Sequence, residues 1–214
     1  MRVALDLEDV LVRNVQVFIE ELNQFIEENH GGEEVFSAAD IDSWKFRGIR
    51  EDLAELRGWK ENTVEKFMFG DGNGWKGFYP VTEEVWENEI ERLSLRSKDM
   101  IEQVEKLKQT VKDSDGELFI VTARENVESS IEQKIGDLGI RELIDGIIIE
   151  TEKDELDFDV YIDDYPKLHQ NLEESIQIMI TQPWNREQEL EKPHRRVEKL
   201  SEAAEVIQNL GTEV

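Results

Sequence analysis

Residues 3–10 read Val-Ala-Leu-Asp-Leu-Glu-Asp-Val, a short apolar run that passes into acidic residues. A continuous apolar run that is too short for a helix predicts a buried strand of a parallel sheet. Four more runs of this kind, each ending in polar or turn-forming residues, lie at 118–122, 146–149, 160–162 and 176–181. With a first strand at 3–7, the sequence therefore predicts five strands.

Segments with helical periodicity separate these runs. Apolar residues follow the i, i+3, i+4, i+7 spacing over residues 15–26, and two glycines stop this helix. The same spacing occurs over 131–138 and 200–210, and Lys134 in the first of these is expected to be solvated. Alternating strands and helices predict an α/β fold, a doubly wound, Rossmann-like parallel sheet that binds ligands at the carboxyl ends of its strands.

The alternation fails over residues 33–93, where aromatic residues accumulate. About sixty residues exceed an ordinary crossover connection, so we predict an inserted, mainly helical cap domain at 33–93. Residues 1–32 and 94–214 then form the core domain. The aromatic side chains either build the core of the insert or contact a substrate, and the candidates for substrate contact are Trp44, Phe46 and Phe67.

The composition excludes several classes of protein. The 214 residues include 25 Lys plus Arg and 51 Asp plus Glu, a formal net charge of −26. Such a chain repels a nucleic-acid polymer and an anionic membrane surface. The absence of cysteine excludes disulfides, thiol catalysis and thiolate metal sites. With three histidines, any metal is expected to have oxygen ligands, which favours Mg²⁺.

The same charge bears on the environment of the protein. No segment has the pattern of a signal peptide, and no window approaches ~18 uninterrupted apolar residues, so we expect a soluble, cytoplasmic protein. Acidic pairs occur throughout the chain, and their self-repulsion is relieved by salt. We therefore expect a halophilic protein from a salt-rich cytoplasm. The sequence leaves its oligomeric state open, a homodimer included.

Polar residues gather where the predicted strands end. They are Asp6 and Glu8 after the first strand, Thr122 and Arg124 after the second, Lys153 after the third, and Asp163 and Asp164 after the fourth. Burying adjacent carboxylates costs free energy unless a cation compensates their charge. Mg²⁺ held by one or two carboxylates, with its other positions open to water and phosphate, fits this set.

Four segments stand out together: 3–10, 119–124 (Phe-Ile-Val-Thr-Ala-Arg), Lys153, and 160–166 (Val-Tyr-Ile-Asp-Asp-Tyr-Pro). Their order and spacing resemble the four motifs of the haloacid dehalogenase superfamily, over essentially the whole chain. The pattern looks most like the branch of 5'(3')-deoxyribonucleotidase-type phosphatases. Further matches are Asp40-Ile-Asp-Ser-Trp44, Thr181-Gln-Pro-Trp-Asn185 and Arg195-Arg196-Val197. Within the second of these, Trp184 packs either beneath the active-site floor or over the sheet edge.

The resemblance implies a Mg²⁺-dependent phosphatase for a small phosphorylated metabolite, such as a (deoxy)nucleoside monophosphate. Asp6 would be the nucleophile that forms an aspartyl-phosphate, and the acid at Glu8 would protonate the leaving oxygen and then activate water. Thr122 and the residues beside it, Ala123 and Arg124, would bind the phosphoryl group.

The resemblance also implies how charge is balanced. Lys153 would neutralise charge on the phosphate and on the nucleophile. Mg²⁺ would be held by Asp6, Asp163, Asp164 and the main-chain carbonyl of Glu8.

This chain departs from the family pattern Asp-x-Asp-Gly, because it reads Asp6-Leu7-Glu8-Asp9. Either Glu8 acts as general acid and base in an adjusted site, or the protein is catalytically impaired and binds a phosphorylated ligand or a protein partner. The three remaining motifs favour retained activity. Asp at position 9 tolerates the sharp turn expected there. A third hypothesis, phosphate transfer or carbon–halogen cleavage, is disfavoured in its halogen form by Asp163 and Asp164.

Overall fold

The computed structural model describes residues 1–30, 60–69, 84–87, 90–124 and 127–210. The chain divides into two compact units, Met1–Arg13 with Ser94–Val214, and Asn14–Leu93. The proposed limits of a cap at residues 33–93 stay a prediction, since most of that range lies outside the described residues.

The first unit is built on one sheet of six parallel strands in the order β3-β2-β1-β4-β5-β6. The crossovers place β1 in the middle, between β2 and β4. This order confirms the predicted doubly wound α/β fold. The strands are β1 (Arg2–Leu5), β2 (Glu117–Thr122), β3 (Gly146–Ile149), β4 (Val160–Asp163), β5 (Ile176–Ile180) and β6 (Arg195–Val197).

Helices account for most of the other described residues. In the first unit they are α3 (Met100–Asp113), α4 (Glu128–Asp137) and α5 (Leu200–Leu210), with single 3₁₀ turns at Arg141–Leu143, Lys153–Glu155 and Leu168–Gln170. The second unit contains α1 (Asn14–His30), α2 (Glu61–Phe69), a helical turn at 84–87 and a 3₁₀ turn at Ile90–Arg92. Among these described segments, none is a helix long and apolar enough to cross a membrane.

The sixth strand was not predicted from the sequence. Residues Arg195–Val197 include one apolar side chain, so they lack the apolar run that marks the other strands. Their strand conformation comes from parallel pairing with β5, in which Ile178 faces Arg195. Edge strands need only one partner strand, which explains why local sequence pattern is a weak signal there.

The prediction that Lys134 is solvated was wrong. Lys134 is only 5% exposed and lies on the buried face of α4 with Ile131 and Ile135. The spacing i, i+3, i+4 places all three side chains on one side of the helix. The long aliphatic stem of lysine allows it to share this apolar face.

A tight turn connects α3 to β2. Asp115 adopts a positive φ of 52°, and a Cβ added to Gly116 would lie 2.6 Å from the carbonyl oxygen of Met1. Only glycine fits so close to another backbone segment. The turn thereby sets β2 beside β1, with the amide of Glu117 donating to the same Met1 oxygen over 2.9 Å.

A short antiparallel ladder marks the two places where the chain passes between the units. Val12 pairs with Leu95, the amide of Arg13 donates to the carbonyl of Ser94 over 2.9 Å, and the amide of Arg96 donates to the carbonyl of Leu11 over 2.8 Å. The Arg13 guanidinium also donates to the Arg96 carbonyl. The outgoing and returning segments are therefore held side by side.

Candidate active site

The predicted acidic residues meet at the carboxyl ends of the two central strands. In the sheet register, Leu5 of β1 lies beside Ile162 of β4, so Asp6 and Asp163 emerge at neighbouring positions. The amide of Asp6 donates to the Ile162 carbonyl over 2.9 Å. Strand pairing thus brings together two carboxylates that are far apart in the sequence.

Asp6, Asp163 and Asp164 form a compact carboxylate cluster. One oxygen from each lies within 4.8 Å of the others, and all three residues are at most 5% exposed. The amide of Tyr165 donates to Asp163 Oδ1 over 2.8 Å, which orients that carboxylate. Buried oxygens grouped this closely have the spacing needed to coordinate one cation.

Lys153 reaches this cluster from the 3₁₀ turn that follows β3. Its Nζ donates to Asp6 Oδ1 over 2.7 Å and to Asp163 Oδ2 over 2.8 Å. Burial alone would lower the pKa of Lys153, but the charges of Asp163 and Asp6 outweigh it and raise the pKa above its ordinary value. Lys153 is therefore an ammonium bridge between two strand ends.

The pKa of Asp6 is raised well above the ordinary value of an aspartate. Burial is the main cause, and the charge of Asp163 adds to it, while Lys153 acts in the opposite direction. The charge of Lys153 lowers the free-energy cost of ionising Asp6 but does not cancel it. Ionisation of Asp6 is therefore unfavourable in this site unless further positive charge is present.

The charge balance of the cluster fits a divalent cation. Three carboxylates face one ammonium group, so the four side chains carry a net charge of −2 when all are ionised. The ligand atoms are all oxygens, which Mg²⁺ prefers. The residues present thus match both the charge and the chemistry of that ion, and Asp6, Asp163 and Asp164 would hold it.

Glu8 projects to a different set of partners. Its Oε2 accepts a hydrogen bond from the Thr122 hydroxyl over 2.8 Å, and its Oε1 lies 3.3 Å from Nε of Arg124. Its carboxylate is not part of the Asp6 cluster, and the role predicted for its main-chain carbonyl stays a prediction. Ala123, next to Thr122, is exposed.

Asp9 forms the sharp turn expected after the first motif. Its φ is 59°, in the left-handed region that favours glycine and that aspartate tolerates. Its amide donates to the carbonyl of Val12 over 2.7 Å, while the amides of Leu11 and Val12 donate to the carbonyl of Leu7. This local network keeps the turn closed without a glycine.

The segment after β5 supports Asp164. Trp184 Nε1 donates to Asp164 Oδ2 over 2.9 Å, and Asn185 Nδ2 donates to the Asp164 carbonyl over 2.8 Å. Gln182 donates through its side chain to the Asp9 carbonyl. Trp184 therefore contacts the carboxylate cluster through Asp164. In the sequence, this residue was marked only by the family resemblance of residues 181–185.

Arg96 is a supporting residue that the sequence did not reveal. Its guanidinium donates to the carbonyl of Thr181 over 3.0 Å. Burial lowers its pKa, although the charges of Asp164 and Asp9 act in the opposite direction. A partly buried cation near these acids offsets some of their charge. No motif marks it, since it lies on the returning segment of the ladder, outside the strands of the sheet.

Three predicted substrate contacts fall beyond what the structure describes. Trp44 and Phe46 lie outside the described residues, and Phe67 is in α2, where only its backbone is described. Their contact with substrate stays a prediction.

The chain is similar to known proteins only at the level of three-dimensional structure. No family model matches the chain, and no curated protein matches it. Among solved structures, a haloacid dehalogenase-like family hydrolase from Streptococcus pneumoniae is similar with a TM-score of 0.64 and 16% identity, covering 97% of this chain and 98% of that one.

Two further structures show the range of this similarity. A HAD hydrolase from Bacillus subtilis, bound to magnesium, has a TM-score of 0.57 and 13% identity over 96% of this chain and 97% of its own. L-2-haloacid dehalogenase from Xanthobacter autotrophicus has a TM-score of 0.56 and 11% identity over 98% of each chain. The structure of this protein thus has the fold of haloacid dehalogenase-like hydrolases.

Proposed function

We propose that this protein is a magnesium-dependent phosphomonoesterase that acts on a small phosphorylated metabolite. The observation that carries the proposal is the Lys153 bridge between Asp6 and Asp163, with Asp164 alongside. It provides a carboxylate nucleophile, an ammonium group and a set of oxygen ligands at one point. Phosphoryl transfer depends on this kind of placement of charge around the phosphate oxygens.

In the first step, a carboxylate oxygen of Asp6 attacks phosphorus and the bond to the leaving oxygen breaks. Lys153 holds Asp6 Oδ1 in place and offsets the charge that gathers on the phosphoryl oxygens. The leaving oxygen takes its proton from the Glu8 carboxyl group. Asp6, Asp163 and Asp164 would hold a Mg²⁺ ion, which would supply further neutralisation of the phosphoryl charge.

In the second step, water attacks phosphorus and gives its proton to Glu8. The bond between phosphorus and Asp6 breaks, and inorganic phosphate leaves. Thr122 and Arg124 donate hydrogen bonds to the phosphoryl oxygens in both steps. Dividing one difficult displacement into two steps is the advantage of a covalent intermediate.

We further propose that the substrate is a nucleoside monophosphate. The support is the resemblance of Asp40-Ile-Asp-Ser-Trp44 to the deoxyribonucleotidase branch, together with the aromatic residues around it. Trp44, Phe46 and Phe67 would then stack on the base.

A phosphatase screen tests the proposal. Nucleoside monophosphates and sugar phosphates are assayed for phosphate release with MgCl₂ or with EDTA, at low and at molar KCl. We expect release that requires Mg²⁺ and is lost in Asp6→Asn but kept in Asp137→Asn, an exposed aspartate at the end of α4. Activity that persists in Asp6→Asn would contradict the nucleophile.

The departure at Glu8 supports a second candidate, a catalytically impaired protein that binds a phosphorylated ligand. A misplacement of about 1 Å can cost on the order of 100-fold in rate. Glu8→Asp separates the two: a large gain in rate over a nearly silent parent would favour the second candidate. The third hypothesis, carbon–halogen cleavage, is tested separately. It predicts release of chloride from 2-chloropropionate.

A further inference from the structure

The Glu8 carboxylate lies on the two side chains that the proposed mechanism assigns to the phosphoryl group. The Thr122 hydroxyl donates to Oε2 over 2.8 Å, and Arg124 Nε donates to Oε1 over 3.3 Å. The backbone amide of Arg124 donates in turn to Thr122 Oγ1 over 3.2 Å. The three residues form a closed ring in which Glu8 supplies both carboxylate acceptors.

These donors suit a carboxylate and a phosphate equally. A guanidinium group and a hydroxyl group bind paired anionic oxygens, whether on carbon or on phosphorus. We infer that the Glu8 carboxylate is a built-in competitor for the phosphoryl group, which occupies Thr122 and Arg124 in the substrate-free protein and must leave them when a phosphomonoester binds. This inference rests on the proposed function.

The length of the side chain is what permits this competition. The usual family residue at this position is aspartate, which is one methylene shorter than Glu8 and reaches less far toward Thr122 and Arg124. Glu8 is 8% exposed, so water screens its contacts with Arg124 weakly. Glutamate in place of aspartate therefore puts a carboxylate of the protein itself on Thr122 and Arg124, the donors proposed to bind phosphate.

The competition has a consequence for the order of events. The residue that blocks the phosphoryl site is the same residue that serves as general acid and base. A bound phosphoryl group displaces the Glu8 carboxylate from Thr122 and Arg124, and the displaced carboxylate takes up a proton from solvent before it gives it to the leaving oxygen. Binding of phosphate and release of Glu8 from Thr122 and Arg124 are then one event. An anion that cannot displace the Glu8 carboxylate leaves it on these two donors.

Binding of inorganic phosphate, measured by isothermal titration calorimetry with MgCl₂, tests this inference on the full chain. We expect Glu8→Gln to bind phosphate about tenfold or more tightly than the parent, since a charged acceptor is removed from the donors. Glu8→Asp keeps the charge but shortens the reach, and a smaller gain is expected. Glu205→Gln is the matched control, because this exposed glutamate pairs with Lys106 on α3 and should leave the affinity unchanged.

A second variant separates direct competition from general charge repulsion. If the gain comes through Arg124, Glu8→Gln should improve binding much less in an Arg124→Gln background. A gain of equal size in both backgrounds would overturn the inference, because it would then reflect only the loss of a nearby negative charge.

The outcomes also distinguish the inference from the proposed function. Equal dissociation constants for the parent and Glu8→Gln, or weaker binding by Glu8→Gln, would overturn the competitor and leave the phosphatase intact. Absence of phosphate binding by the parent and by both Glu8 variants would overturn both. Thermal unfolding of each variant verifies folding, and if Glu8→Gln does not fold, an unchanged affinity in Glu8→Asp overturns the inference.

Discussion

Trp184 Nε1 donates to Asp164 Oδ2 over 2.9 Å, and the two residues are separated by twenty positions in the chain. The bond fixes one oxygen of a carboxylate that belongs to the Asp6 cluster. A hydrogen bond to a carboxylate that ligates a metal fixes its orientation. The tryptophan is therefore a positioning residue for the proposed cation site.

Trp184→Phe tests this role. The substitution keeps an aromatic ring and removes the N–H donor, so we expect the affinity for Mg²⁺ to fall about 10-fold to 100-fold. Calorimetric titration with MgCl₂ measures it. Trp86→Phe is the matched control, since Trp86 is a buried indole in the second unit whose Nε1 donates to Asn14. Equal affinity in the parent and Trp184→Phe would contradict the positioning role.

Lys153→Met should destabilise the protein. The substitution leaves Asp6 and Asp163 buried without their shared ammonium group, and breaking a buried ion pair costs about 3 kcal/mol or more. Denaturant unfolding in EDTA measures the free energy, and added MgCl₂ should restore part of it. Lys106→Met removes an exposed lysine that pairs with Glu205 and should cost less than about 1 kcal/mol. A similar small loss at Lys153 would show that the bridge contributes little.

The raised pKa of Asp6 predicts a pH dependence in the metal-free protein. A carboxyl group with a higher pKa in the folded than in the unfolded state stabilises the fold fully at pH below its unfolded pKa, and this contribution is lost as the pH rises through the folded pKa. Asp6→Asn should therefore be more stable than the parent at about pH 8, with the gain shrinking toward about pH 4.

Denaturant unfolding in EDTA across this range measures the difference. Asp137→Asn, at an exposed position, should show no such trend. A gain for Asp6→Asn that is the same at both ends of the range would mean that ionisation of Asp6 does not oppose folding.

The net charge of −26 predicts that salt stabilises the fold. At low ionic strength the acidic side chains repel one another, and screening at molar KCl removes most of this repulsion. We expect the melting temperature, measured by circular dichroism, to rise by several degrees between dilute buffer and molar KCl. A higher melting temperature in dilute buffer would refute the expected adaptation to a salt-rich cytoplasm.

The sequence was most informative where strands are buried on both faces. The apolar runs at 3–7, 118–122 and 160–162 predicted three of the strands and the gathering of Asp6, Thr122 and Asp163, because parallel strands bring their carboxyl ends to one edge. Lys153 follows a strand in the same way, so its place near the cluster could also be predicted from the sequence.

Residues that act through tertiary contacts were harder to predict from the sequence. Trp184 donates to Asp164, and Arg96 donates to the Thr181 carbonyl, and local sequence pattern carries no sign of such contacts with distant segments. The ring formed by Glu8, Thr122 and Arg124 was hidden for a further reason, since family roles place all three on the substrate and say nothing of bonds among themselves.

The ladder between Leu11–Arg13 and Ser94–Arg96 allows the second unit, residues 14–93, to be exchanged as a single cassette. Its two junctions are already joined by the hydrogen bond from Arg13 to Ser94, so an exchange of residues 14–93 leaves the ends of the remaining chain in contact, as in a loop swap on a hairpin. Every side chain of the candidate active site that the structure describes lies outside this cassette. The second unit can therefore be exchanged or engineered without changing any described side chain of the candidate active site.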